Sequence, residues 1–197
     1  MEAVIEWGFA SIPMPGQQVC GDGHFIQTSE QQAFIALMDG LGHGVDAANA
    51  VEVARTALSE HQHSGILLDL LYVHNQLRST RGVCIAAAAI DMSVSAMSWV
   101  GLGDVEGILI KPATNERRWL PKRNGVLGMV SDVTSHLRLH VESLDPGDLI
   151  MFATDGVSKT SIPTLNRDAD PQMMAEHVLA TNARGTDDAS VLVVRIR

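Results

Sequence analysis

The stretch QAFIALMDGLGHGVDAANAVEVARTALSE, residues 32–60, decides the fold. It begins with a nearly continuous apolar run that ends at Asp39-Gly40, which is typical of a strand buried on both faces. From His43 to about Glu60, apolar residues and alanines recur at helical spacing. The sequence therefore predicts a buried strand, a glycine-rich turn and a helix, with one aspartate at the end of the strand.

Further strands and two more helices are predicted around this stretch. Alternating or continuous apolar runs bounded by glycine, proline and aspartate indicate the strands, and apolar residues at helical spacing indicate the helices. The predicted elements are strands at 2–12 and 24–29, a helix at 66–77, several short strands between 83 and 156, a helix at 171–183 and a strand at 190–196.

The composition indicates one well-folded unit. The chain has 197 residues, of which 46% are hydrophobic and 19% are charged, as in an ordinary globular protein. A chain of this length suits one core. We expect a single domain over residues 1–197 with an α+β fold, in which two stacked, mainly antiparallel sheets are flanked by helices in an αββα sandwich.

The net charge excludes some partners. The formal charge is −9, from 23 acidic and 14 basic residues, which argues against binding to the nucleic-acid backbone. The N-terminus lacks a basic segment followed by an apolar run, and no apolar stretch approaches the roughly 20 residues needed to cross a bilayer. We therefore expect a cytoplasmic protein that binds neither nucleic acid nor membrane.

Four segments share one design, in which an aspartate stands at the end of an apolar strand or in a glycine turn. Carboxylates brought together in this way repel one another unless a cation neutralises them, and their hard oxygens suit Mg²⁺ or Mn²⁺. Each motif alone is more often only a turn, because Asp-Gly is a common turn dipeptide; the ordered set is a stronger signal. The segments are CGDGHF (20–25), MDGLGHG (38–44), FATDG (152–156) and GTDDAS (185–190).

A pair of divalent cations would explain this pattern chemically. Two such ions lower the pKa of a shared water and draw charge from phosphoryl oxygens, so that water can attack phosphorus directly. The glycines at 40, 42 and 44 let the backbone approach the ions, so the Gly40 carbonyl is a candidate ligand.

The ordered segments resemble those of the protein phosphatase 2C-like superfamily, and more closely its bacterial SpoIIE-like branch. The landmarks of that branch are an SGD-type loop, a DG-G-G turn, a TDG segment after a strand and a late DD segment, and the resemblance covers essentially the whole chain. It implies two Mn²⁺ or Mg²⁺ ions held by Asp22, Asp39, the Gly40 carbonyl, Asp155 and Asp187, with Asp22 and Asp39 most directly involved in catalysis. Asp188, at the next position, is a possible substitute for Asp187.

The compact length and the segments CGDGHF, DGLGHG, RGVCIAA and VGLGDVEGIL are most similar to the stand-alone phosphatases of this branch that reset stress-signalling complexes. That resemblance implies phosphoserine and phosphothreonine substrates on STAS-domain scaffold and antagonist proteins. Two alternatives stay open: a pseudophosphatase that binds phosphoproteins without turnover, and a hydrolase of small phosphate esters.

Several positions depart from the eukaryotic-type pattern or leave a role open. In the eukaryotic-type phosphatases a histidine follows the DG pair and is thought to protonate the leaving group, and here Leu41 stands at that position. His43 is a candidate for the same role, although a solvent-facing histidine is favoured. Asp104 matches a GD pair associated with an additional metal, but a turn explains it equally well. Arg81 and Arg184 are candidate phosphate contacts only by their proximity to the site segments.

A loop-like segment at 112–130 carries a net positive charge. Its arginines, lysine, asparagines and glycines predict a flap or docking surface beside the metals.

Overall fold

The computed structural model describes residues 4–61, 65–114, 116–158 and 168–197. Within these ranges it contains ten strands and three α-helices, together with two short 3₁₀ helices at Leu77–Ser79 and Val133–Ser135. The strands are β1 (Ile5–Ile12), β2 (Asp22–Thr28), β3 (Gln32–Gly40), β4 (Val83–Asp91), β5 (Ala96–Leu102), β6 (Glu106–Lys111), β7 (Glu116–Trp119), β8 (His140–Ser143), β9 (Leu149–Ala153) and β10 (Ala189–Ile196). The helices are α1 (Val45–Glu60), α2 (Ile66–Gln76) and α3 (Pro171–Asn182).

The strands form two five-stranded sheets in which every neighbouring pair is antiparallel. Sheet I has the order β1-β10-β9-β6-β7, and sheet II has the order β2-β3-β4-β5-β8. In sheet I the first and last strands of the chain pair side by side. Along the chain, the described strands change sheet four times, after β1, β5, β7 and β8.

Three apolar layers hold the sheets and helices together. Between the sheets, the buried ring of Trp99 on β5 packs against Phe152 on β9, with ring centroids 5.0 Å apart. A second cluster lies between sheet II and the helices α1 and α2, and a third between sheet I and α3. The predicted α+β sandwich of two stacked sheets with helices on both outer faces is confirmed.

The structure differs from the sequence prediction at two strands. Glu116–Trp119 forms β7 inside the segment predicted to be a loop. All four of its residues are exposed, so no alternation of apolar residues marked it, and backbone pairing with β6 creates it. Among the short strands predicted between 83 and 156, the one expected at 136–144 is shorter in the structure, where only β8 forms and a 3₁₀ helix precedes it. Residues 2–3 of the first predicted strand and Asn115 lie outside the described residues.

Most of the 112–130 segment is tied to the sheets by its backbone. Leu127 exchanges two backbone hydrogen bonds with Val83, and Arg123 donates to the Gly101 carbonyl. The Trp99 indole N–H donates to the Pro121 carbonyl at 2.8 Å. These contacts make the described part of the segment a fixed part of the sandwich.

No helix in the described ranges combines the length and apolar character that crossing a membrane requires.

Candidate metal centre and active site

Asp22 and Asp39 lie opposite each other in sheet II. They are direct partners in the antiparallel register of β2 and β3, Asp22 as the first residue of β2 and Asp39 as the next-to-last residue of β3. Opposed residues on antiparallel strands have Cα atoms about 4.5–5.5 Å apart and place their side chains on one face. The register alone therefore brings two of the predicted ligands together.

Asp155 and Asp187 reach the same region from sheet I. Asp155 follows the end of β9, and Asp187 precedes the start of β10. Because β9 and β10 are antiparallel neighbours, the end of one and the start of the other meet at one edge of the sheet. Both carboxylates interact electrostatically with Asp39, and so does the carboxylate of Asp22. The four aspartate segments thus converge from two sheets.

The site carries more negative charge than its protein surroundings neutralise. Burial is the main cause that raises the pKa of Asp22 to about 7; hydrogen bonds from Thr154 and Ser190 oppose the rise, and the carboxylates of Asp188 and Asp155 add to it. Burial, followed by repulsion from Asp22 and the other carboxylates, raises the pKa of Asp39 to about 8. In the described ranges no lysine or arginine forms an ion pair with either aspartate.

Thr154 orients Asp22 and was not singled out in the sequence. Its buried hydroxyl donates to Asp22 Oδ2 at 2.8 Å and accepts the Ser190 backbone N–H at 2.9 Å. The hydroxyl therefore links the start of β2 to β10. The only local signal is a hydroxyl residue at the end of an apolar strand, directly before Asp155, and that signal does not reveal its partners.

Asp188 has a different task from Asp187. It is 3% exposed, and its two carboxylate oxygens accept the backbone N–H groups of Met14 and Gly21, each at 2.8 Å. Asp188 thereby fastens the loop between β1 and β2 to the start of β10. Asp187, which is only half-buried, accepts the Asp188 backbone N–H with Oδ1 at 2.9 Å. The contacts therefore give Asp188 a structural role, because backbone N–H groups occupy both of its oxygens.

The glycine turn allows α1 to pack directly on the end of β3. A Cβ at Gly40 would collide with the Ala47 carbonyl oxygen, so only glycine permits this approach. The Leu41 N–H donates to the Gly82 carbonyl at 3.1 Å, which ties the turn to the start of β4. α1 begins at Val45, two residues after the predicted start.

The residues whose roles stayed open have distinct surroundings. Lys122 Nζ lies 3.5 Å from Asp104 Oδ1 and 2.7 Å from Glu106 Oε1, so a protein cation already balances Asp104. His43 is exposed, as the favoured interpretation predicts. Arg184 is exposed, and its backbone N–H donates to the Gly156 carbonyl at 2.8 Å, beside the Asp155 turn.

The donor set fits hard divalent cations, since it consists of carboxylates with uncompensated charge beside a backbone turn of glycines. Within the described ranges, however, no three histidine, cysteine, aspartate or glutamate side chains are gathered closely enough to form a complete site for an ion. The structure therefore brings the acidic segments and their charges together without forming a complete ion site in the described residues.

Two stacked antiparallel sheets with helices outside, and aspartates meeting at one end, define the protein phosphatase 2C-like class of metal-dependent serine/threonine phosphatases. The model of the family "Stage II sporulation protein E (SpoIIE)" matches residues 29–197. The chain belongs to this family.

The similar proteins include a phosphoserine phosphatase. The chain is 25% identical over 148 residues to "Phosphoserine phosphatase RsbX" of Bacillus subtilis (strain 168), covering 75% of this chain and 72% of RsbX. A solved structure reported as "The bacterial stressosome: a modular system that has been adapted to control secondary messenger signaling" superposes with a TM-score of 0.88 at 24% identity, covering 97% of this chain and 99% of the other. A crystal structure of RsbX in complex with magnesium superposes with a TM-score of 0.85 at 18% identity, covering 100% and 97%.

Proposed function

We propose that this chain hydrolyses phosphoserine and phosphothreonine on STAS-domain scaffold and antagonist proteins, and so resets a stress-signalling complex. The observation that carries the proposal is the paired register of Asp22 and Asp39, at a glycine turn where further aspartates converge. The similarity to RsbX and to a stressosome component supports the choice of substrate. A cytoplasmic location and a single domain over residues 1–197 belong to the same proposal.

The proposed metal ligands are Asp22, Asp39, the Gly40 carbonyl, Asp155 and Asp187. Two Mn²⁺ or Mg²⁺ ions, when bound, supply Lewis acidity to the phosphoryl oxygens and lower the pKa of a nucleophilic water. The magnesium complex of RsbX supports this choice of ion. Asp39 interacts electrostatically with Asp22, Asp155, Asp187 and Asp104, so it is the most central of the carboxylates that would hold the ions.

The chain's own residues prepare this site in three ways. Thr154 donates to one Asp22 oxygen at 2.8 Å, which fixes the orientation of the carboxylate. Asp188 fixes the loop that carries Gly21 next to Asp22. Gly40 lets the first turn of α1 support the backbone at the strand end.

The deciding experiment measures phosphate release from a phosphoserine peptide, a phosphothreonine peptide and a phosphorylated STAS-domain protein, with Mn²⁺ and with chelator. Asp39→Asn should lower kcat/KM on the order of 100-fold or more, because even partners of metal ligands cost 10–100-fold when removed. Asp145→Asn, a matched change at an exposed aspartate paired with Lys111, should leave the rate unchanged.

The other outcomes separate the alternatives. Binding of the phosphoproteins without turnover would indicate a pseudophosphatase. Turnover of small esters alone would indicate a small-ester hydrolase. Equal turnover in chelator would contradict the proposed metal chemistry.

A further inference from the structure

A basic and apolar surface lies beside the proposed metal centre. It consists of Arg81 and three exposed apolar side chains, Leu41, Val45 and Met129, and is called the Arg81 surface below. Large apolar side chains exposed together in one place are typical of interaction sites.

Backbone and side-chain contacts bring these four residues together around Gly82. Leu41 donates its N–H to the Gly82 carbonyl, and Arg81 precedes Gly82 in the chain. The Cγ of Met129 lies 3.0 Å from where a Cβ on Gly82 would stand. Val45 lies in the same region, because it precedes Asp46 at the start of α1 and Asp46 forms an ion pair with Arg81.

The guanidinium of Arg81 is held by a partner that another carboxylate can replace. Nη2 lies 2.5 Å from Asp46 Oδ2, with 48% of the Arg81 side chain and 67% of the Asp46 side chain exposed. An exposed ion pair of this kind contributes little to stability. Arg81 also lies across Gly42, where a Cβ would stand 2.9 Å from Nη1. The guanidinium therefore occupies the space that a side chain at Gly42 would need, which places Arg81 directly beside the glycine turn.

The surface continues directly from the proposed site. Leu41 follows Gly40, whose carbonyl is a proposed ligand, and Gly42 is one residue further. Consecutive Cα atoms are about 3.8 Å apart, and an extended peptide spans at most about 3.3–3.6 Å per residue. A substrate whose phosphoryl group lies at the metals thus places residues about two or three positions away over the Arg81 surface.

We propose that the Arg81 surface docks the segment that flanks the phosphorylated residue of the protein substrate, and that it selects an acidic residue next to an apolar one. In this docking Arg81 exchanges the Asp46 carboxylate for a substrate carboxylate, while Leu41, Val45 and Met129 contact the apolar side chain. The chain carries a net charge of −9, so a local cation is needed for an acidic segment to approach. This inference rests on the proposed phosphatase function and names the chemistry of its substrate.

The test uses three phosphoserine peptides that are identical except for the residue two positions from the phosphoserine, which is Glu, Gln or Lys next to a constant Leu. The ratio of kcat/KM between the Glu and Lys peptides is compared within each variant, so that general changes in activity cancel. The wild-type chain should prefer the Glu peptide by roughly 1.5- to fivefold, the range of an exposed ion pair. Arg81→Glu should reverse the order, and Arg138→Ala, at an exposed arginine just before the far edge strand of sheet II, should keep it.

Peptide binding measured by fluorescence anisotropy in the presence of Mn²⁺ separates this inference from the proposed function. If no peptide is turned over but the affinities of the three peptides depend on the charge at residue 81, the phosphatase function is wrong and the docking inference is supported. If all three peptides weaken equally in Arg81→Glu, Arg81 contacts the phosphoryl group itself, and the docking inference is wrong. An unchanged order in Arg81→Glu overturns the inference as well.

Discussion

At the scale of single residues, the site depends on where carboxylates meet. Asp39 is largely buried between the strand end and the other acidic segments, and four carboxylates raise its pKa in addition to burial. Asp22 lies directly opposite Asp39 on the neighbouring strand and accepts a hydrogen bond from the Thr154 hydroxyl. Both groups are costly to keep ionised without a cation, which gives two tests at this scale.

The first concerns the pH dependence of stability without metal. The folded pKa values of about 7 for Asp22 and about 8 for Asp39 lie above 3.8, the ordinary pKa of an aspartate. Between about pH 4 and pH 8 these groups bind more protons in the folded state, so the stability that they contribute is lost as the pH rises through this window. In chelator, the free energy of unfolding by urea should fall more steeply from pH 5 to pH 8 in the wild-type chain than in Asp39→Asn. Equal slopes in the two proteins would contradict the raised pKa of Asp39.

The second concerns the hydroxyl of Thr154. Thr154→Val leaves the buried Ser190 N–H without the Thr154 acceptor and removes one of the two hydroxyl donors to Asp22. We expect a loss of about 1–3 kcal/mol in the free energy of unfolding and roughly 10–100-fold weaker Mn²⁺ binding. Calorimetric titration and urea unfolding measure the two effects. Thr154→Ser keeps the hydroxyl and should retain most of the affinity; a Ser variant as weak as the Val variant would contradict the role of the hydroxyl.

At the scale of elements, the loop between β1 and β2 depends on a carboxylate from the other end of the chain. Asp188→Ala removes the acceptors of the Met14 and Gly21 backbone N–H groups. We expect faster hydrogen exchange at these two amides and a loss of about 2–3 kcal/mol, because hydrogen bonds to charged groups are stronger than neutral ones. Exchange at the amides of the β3–β4 ladder serves as the internal reference. Unchanged protection at Met14 and Gly21 would show that Asp188 does not hold the loop.

At the scale of the whole molecule, the layer between the sheets should determine overall stability. Phe152 is buried against Trp99 in this layer. Phe152→Ala should lower the free energy of unfolding by about 3–5 kcal/mol, measured with urea and a chelator present. Leu68→Ala, at an exposed position on α2, should change it by no more than about 0.5 kcal/mol. A similar small change in both variants would indicate that the two sheets do not depend on this contact.

The fold class followed from the sequence because its signals are local. The apolar run before Asp39 and the alanine-rich helix after Gly44 are patterns of a strand and a helix, and the structure shows β3 and α1 at these places. β7 could not be recognised, since its exposed residues have no apolar pattern and its pairing with β6 is set by backbone hydrogen bonds.

The sequence by itself determined the α+β sandwich and the four aspartate segments, because strand periodicity, glycine turns and strand-end aspartates are encoded by neighbouring residues. Only the tertiary structure distinguished Asp188, whose oxygens are occupied by Met14 and Gly21, from Asp187 beside it. It alone showed that Thr154 holds Asp22 and that Lys122 balances Asp104. The physical reason is that these roles depend on hydrogen bonds and ion pairs between residues far apart in the chain, whose partners no local pattern specifies.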